Sequence, residues 1–217
     1  KFDALMTTGL FVNRSILDWY FIDHWWDGTF KGGSVEFMFE HQNIITRARK
    51  NGYEDGKLVW GKDLGERLVP RFTEQKSIRF EVFNDWLPTD NCFVSLDNNV
   101  KDKWGSAVAK VRVGYHEHDL KVGSFLANKA EIVLKQMGAD NIRSSVSGSP
   151  PANLVAGGCR FGDDIRTSVL NADCKVHDVE NLYVTDGSFM PTGGSVPYTW
   201  TIYANSFRVA DIIKKRV

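Results

Sequence analysis

The sequence has no surplus of either charge: 27 Lys and Arg stand against 27 Asp and Glu, for a formal net charge of zero. Gripping nucleic acid or anionic lipid needs clustered positive charge, so neither is expected as a partner. Long apolar runs are missing too, and nothing approaches the roughly 20 residues needed to span a bilayer. The first stretch, KFDALMTTGLFVNRS, lacks a basic segment, an apolar core and a small-residue cleavage site in series. Cysteine is scarce. Cys92, Cys159 and Cys174 are odd in number and show no CxxC spacing, which excludes complete internal pairing and offers no zinc or redox motif. Free thiols are the plain reading, and one Cys159–Cys174 bridge stays open for a chain working in an oxidising compartment. Internal repeats and low-complexity tracts are also absent.

What is present is an ordinary globular composition, 42% hydrophobic and 25% charged over 217 residues, with an excess of aromatics. That length makes one large domain or two small ones, able to bury a core without disulfides or metals. From Ser34 to Phe39, Val35, Phe37 and Phe39 share one side and read as a strand. Asn51-Gly52 and Asp55-Gly56 read as turns, with Leu58 to Trp60 as the returning strand. DLGERLV after Lys62 reads as a short helical turn stopped by Pro70. Residues 78–87 and Val108 to Val113 alternate as strands.

Asp119 reads as the N-cap of the clearest helix. Val122, Phe125, Leu126, Ala130, Val133 and Met137 follow at three- and four-residue steps, and Gly138 stops it. Residues 144–152 read as a Ser/Pro loop, and NLYVTDG as a buried strand. A closing helix is expected from about Thr199 to Lys214, with Ile202, Tyr203, Phe207, Ala210 and Ile213 turned inward. The order of strands, helix, loop, strand and helix predicts an α+β fold.

NLYVTDGSFMPTGG, followed by a T-x-T-I helix and an R-x-A-D ending, resembles the close of the glucose–methanol–choline flavoprotein oxidoreductases. GGCRFGDDIRTSVLNADCKVHDVENLYV resembles the stretch before that close, nearest to the gluconate and fructose dehydrogenase branch. Weaker similarity reaches back through GYHEHDLK to FIDHWWDGTFKGGSVEF. The resemblance implies a mainly antiparallel substrate-binding domain over 1–152. It also implies a C-terminal strand and helix over 153–217 that complete a flavin-binding domain. It implies FAD, a sugar or polyol substrate, and a periplasmic setting. Flavin contacts fall on Asp186, Gly187, Val196, Pro197 and Thr199, and substrate contacts on Asn153 and Leu154. Glycine at the Asp186-Gly187 turn leaves no side chain between backbone and ring. The N-terminal end of the last helix favours negative charge there.

Two features of the family pattern are missing. No Gly-x-Gly-x-x-Gly fingerprint is present, since neither Gly32-Gly33 nor Gly157-Gly158 continues into one. The expectation is therefore the C-terminal portion of a longer polypeptide, or a subunit of a hetero-oligomer whose partner supplies the nucleotide-binding half. Secondly, the family's catalytic histidine falls at Leu154 and its second histidine or asparagine at Pro197, and neither side chain accepts a proton. A general base contributes about 100- to 10,000-fold. His41 and Tyr198 are the candidates to stand in, although a tyrosine pKa near 10 makes a poor base. His177 reads as structural, His116 and His118 as a polar strand end, and His24 lies with His41 in the aromatic region. Trp19, Trp25 and Trp26 read as packing or as a sugar-stacking surface. Three functions remain open: part of a flavin-dependent sugar or polyol oxidoreductase, a catalytically silent subunit with a binding or assembly role, and a free-standing carbohydrate-binding module.

Overall fold

The computed structural model describes residues 12–24, 28–38, 44–74, 78–148 and 154–216. His41, Trp25, Trp26 and Asn153 lie outside them. The fold is mixed α/β with antiparallel sheets, and the chain divides into two compact units. The first comprises Lys1–Leu17 and Val35–Val82, the second Asp18–Ser34 and Phe83–Val217.

In the first unit, β1 (Val12–Ile16) pairs antiparallel with β4 (Gly33–Met38), setting Ser15 against Glu36 and Ile16 against Val35. β4 is the middle strand of a three-stranded sheet whose other edge is β7 (Arg79–Asn84). Both faces of β4 are buried, Glu36 as well as Val35 and Met38, so the one-sided pattern expected from the sequence does not hold. Burial raises the Glu36 pKa, and the charge of Glu81 adds to it. α1 (Ile44–Asn51) leads to a hairpin of β5 (Tyr53–Glu54) and β6 (Lys57–Leu58). The Asp55-Gly56 turn has φ of 47° and 76°, the left-handed pair that a two-residue hairpin needs. α2 (Gly61–Thr73) corrects the expected stop, because Pro70 lies inside it. Proline there falls in the last turn, where one lost amide breaks little of the ladder, and Glu74 N still bonds the Pro70 carbonyl at 2.8 Å.

In the second unit, β2 (Phe21–His24) and β3 (Gly28–Lys31) form a hairpin, with Trp19 O accepting from Gly33 N at 3.0 Å. β8 (Phe93–Lys101) and β9 (Ala107–Arg112) form a longer one, of which only β9 was legible in the sequence. α3 (Glu117–Gln136) buries Val122, Leu126 and Ala130 as its spacing requires, and Gly138 ends it at φ 84°. His116, not Asp119, is the N-cap. Its ring accepts from His118 N, and the Asp119 carboxylate reaches back to the His116 amide.

The expected strand at 181–187 is reduced to an isolated antiparallel bridge between Lys175 and Tyr183. Local loops, rather than a sheet, take up the backbone bonds there: Val176 N bonds Leu182 O and Val184 N bonds Cys174 O. α4 (Thr199–Lys214) runs where the sequence placed it. Its inward face differs. Val209 is buried against Leu170, Cys174 and Phe189, with Ile202 and Ile213 beside it. Tyr203 and Phe207 are 54% and 77% exposed, and Ala210 is exposed too. Cys92, Cys159 and Cys174 are free thiols. No helix among the described residues is long and apolar enough to cross a membrane.

Candidate active-site loop at the start of the last helix

Three segments of the second unit converge on Gly187. A Cβ built there would lie 2.9 Å from the Val155 carbonyl oxygen, 3.3 Å from Ile202 Cδ1 and 3.5 Å from Tyr198 Cε2. Only glycine fits such a junction, because the nearest obstacle is backbone and cannot swing aside. The segment after Val155 runs beside that of Gly187 itself: Cys159 N bonds Ser188 O and Phe161 N bonds Phe189 O, both at 2.9 Å. Leu154, one residue before the Val155 contact, is half-buried.

Asp186 caps the short 3₁₀ turn Gly187–Phe189, its Oδ1 accepting from Ser188 N at 2.8 Å. Hydrogen bonds from the Ser188 side chain and amide hold its pKa below the ordinary carboxylate value. The carboxylate is thus an ionised structural cap. The loop 193–198 then delivers the chain to α4. Tyr198 is its last residue and the helix N-cap, yet it makes no side-chain cap bond.

Tyr198 is only 7% exposed, and its hydroxyl finds no hydrogen-bond partner among the described residues. Burial pushes the phenol pKa up. The hydroxyl is therefore a donor throughout the physiological range and not a proton acceptor. Ser195, fully buried, carries a second hydroxyl without a partner among the described residues. The sequence reading missed it; the signal was a serine placed between a Gly-Gly pair and a helix start. Two orphaned hydroxyls and an uncapped helix start favour an electron-rich ligand edge, the kind of group a flavin ring presents. Of the expected flavin-contact residues, Gly187 lies in the junction. Val196 is half-buried between the two hydroxyls in sequence, and Asp186, Pro197 and Thr199 are exposed.

His177 and His116 are engaged in local structure. His177 Nε2 lies 2.9 Å from Ser168 Oγ, a serine–histidine pair with Asp164 nearby. It is no nucleophilic triad. Ser168 gives its one hydrogen to the Asp164 carbonyl at 2.8 Å, so His177 must be the donor, and the Asp164 carboxylate is held by Arg166 at 2.7 Å. His116 caps α3. Among the described residues no group of three or more His, Cys, Asp or Glu could hold a metal ion.

Comparison with known proteins decides the family. The model for GMC oxidoreductases matches residues 88–206, more than half of the chain and all of the loop just described. The chain belongs to the GMC oxidoreductase family. It is 34% identical over 158 residues to 2-methyl-1,2-propanediol dehydrogenase of Mycolicibacterium austroafricanum, covering 72% of this chain and 28% of that protein. Paromamine 6'-oxidase of Streptomyces fradiae is 33% identical over 125 residues, 55% of this chain and 23% of its own length. The fructose dehydrogenase large subunit of Gluconobacter japonicus is 27% identical over 187 residues, 86% of this chain and 34% of its own. This GMC chain thus spans between 23% and 34% of the length of these relatives.

Proposed function

We propose that this chain is the C-terminal portion, or a separate subunit, of an FAD-dependent GMC oxidoreductase that oxidises a hydroxyl of a sugar or polyol. The observation that carries the reading is the Gly187 junction, where three family-matched segments meet against Tyr198, the end of a loop that holds two buried hydroxyls without partners among the described residues. Relatives named for 2-methyl-1,2-propanediol, paromamine and fructose support the substrate class. In this reading 1–152 is the substrate-binding part and 153–217 packs on the flavin-binding part, supplied by the rest of the polypeptide or by a partner subunit. The periplasm is its proposed location.

Asp186, Gly187, Val196, Pro197 and Thr199 would hold one edge of the flavin, which when bound supplies the hydride acceptor. Gly187 lets the Val155 and Tyr198 segments close on the turn, and Asp186 fixes it. Tyr198 donates a hydrogen bond to the ligand edge, and its raised pKa keeps that proton in place. Leu154 and Asn153 would contact the substrate. Because Leu154 and Pro197 hold no proton, the substrate hydroxyl proton must pass to another group, and His41 is proposed for it. The Leu154 side chain also carries the second reading, a silent subunit that keeps the fold for binding or assembly.

Native mass spectrometry of the protein as isolated from its source tests both. A mass exceeding this chain by further polypeptide and one flavin is expected, and Leu154→His should then raise turnover. A flavin-free assembly overturns the first reading and leaves the second.

A further inference from the structure

Three stretches far apart in sequence are tied together at one end of α3, all within the second unit. Asp119 is 2% exposed, and both of its carboxylate oxygens are engaged. Oδ2 accepts from the His116 amide at 3.2 Å, which completes the capping box. Oδ1 accepts from the amide of Leu87, 32 residues earlier, at 3.1 Å. Asn84 adds a bond from its Nδ2 to the Asp119 carbonyl at 3.2 Å. The carbonyl of that same peptide points the other way: Trp86 O accepts from the Gly193 amide at 3.1 Å.

Residues 85–89 belong to no strand or helix, so no ladder fixes them. At Gly193 a Cβ would come within 3.2 Å of Trp86 Cβ, so the two backbones already touch. Capping accounts for only one of the two carboxylate oxygens. A capping acid at the third helical position is ordinarily solvated, whereas this one is buried, and burial raises its pKa. Asp85 is part of the same strap, with Lys31 3.7 Å from its Oδ2, and His116 and His118 also act on Asp119. An acid kept here against that cost has a use beyond the cap.

We propose that Asp119 is a positioning residue for the 193–198 loop, holding the Trp86–Leu87 strap that in turn holds Gly193. The loop continues through Ser195 and Tyr198 into α4, so a displaced strap displaces both orphaned hydroxyls. That the loop faces a flavin rests on the proposed function; the tie itself does not.

Amide hydrogen exchange on the protein as isolated tests it. Asp119→Asn keeps the shape but can no longer accept at both positions. It is expected to speed exchange at Leu87 and Gly193 about tenfold, leaving the later turns of α3 and the Phe161 amide protected. In the flavin-loaded enzyme it is also expected to shift the flavin absorption band. Equal loss of protection along all of α3 would mean that Asp119 only caps its helix, and unchanged exchange at Gly193 would break the link; either overturns the proposal. Should Asp119→Asn fail to fold, Gly193→Ala probes the tie from the other end. By reciprocity it must speed exchange at Leu87, and no change there overturns the proposal equally. A preparation without flavin counts against the proposed function and leaves the exchange result standing.

Discussion

At Gly187 a single missing Cβ lets three segments meet, and the two ends of that contact differ in how they yield. Ile202 can rotate, but the Val155 carbonyl, 2.9 Å from the absent atom, is backbone. Gly187→Ala is therefore expected to lower stability by about 1–3 kcal/mol, measured as a fall in the urea midpoint with unchanged m-value. Asp186 next to it works by charge. Its pKa is lowered in the folded chain, so its contribution is present above the unfolded value of 3.8 and is lost as pH falls through the folded one. Asp186→Ala should cost about 1 kcal/mol at pH 7. The gap to the wild type should close in acid below pH 3.8, and a gap that persisted there would contradict the capping role. The sequence pointed to both residues through the family pattern. Ser195 is marked in the sequence only by its place between a Gly-Gly pair and a helix start, and its burial without a partner among the described residues is not written in its type.

Among the elements, α4 shows how local and tertiary information divide. Its limits were legible, because a Gly-Gly-Ser-Val-Pro start and a KKR end frame a run of good helix formers. Which side it buries was not. By residue type Tyr203 and Phe207 suit a core as well as Val209 does, but the loop 171–176 and Phe189 are where the packing surface lies, and they select Val209, Ile202 and Ile213. Arg208 bonds the Ala172 carbonyl at 2.8 Å and Arg216 bonds Asp173 at 2.9 Å, which fixes the helix in that rotation. Trp200, 81% exposed, joins Tyr203 and Phe207 on the open side. In the isolated chain Phe207→Ser should change stability by less than about 0.5 kcal/mol, while Val209→Ala should cost about 2 kcal/mol. Paired denaturant titrations check this, and equal losses would place the rotation of α4 in error. α2 gives the opposite lesson. Pro70 reads as a stop, yet Phe72, two residues on, is buried, and that burial carries the helix one turn past it.

For the whole molecule, buried carboxylates set the pH response. Burial raises the pKa of Asp85, against the opposing charge of Lys31, and it raises those of Asp119 and Glu36. Such a group holds its proton more tightly in the folded chain than in the unfolded one. Its stabilising effect is full below the unfolded value of 3.8 for Asp85 and is lost as pH rises through the folded pKa. Asp85→Asn removes one of these groups. The variant should gain stability relative to the wild type across that window and hold a constant lead above it, as read from denaturation midpoints between pH 4 and pH 8. A difference independent of pH would show that Asp85 does not titrate in the fold.

The sequence by itself determined the family, the two long helices and the Asp186-Gly187 turn. Each rests on residues close together in the chain, where capping, periodicity and glycine placement act locally. The tertiary structure decided the rest: that Asp119 ties α3 to a strap 32 residues earlier as well as capping its helix, that residues 181–187 close loops instead of joining a sheet, and that Tyr198 and Ser195 are buried with hydroxyls unpaired among the described residues. Those outcomes depend on which distant backbone groups arrive within hydrogen-bond reach, and only the packed chain brings them there.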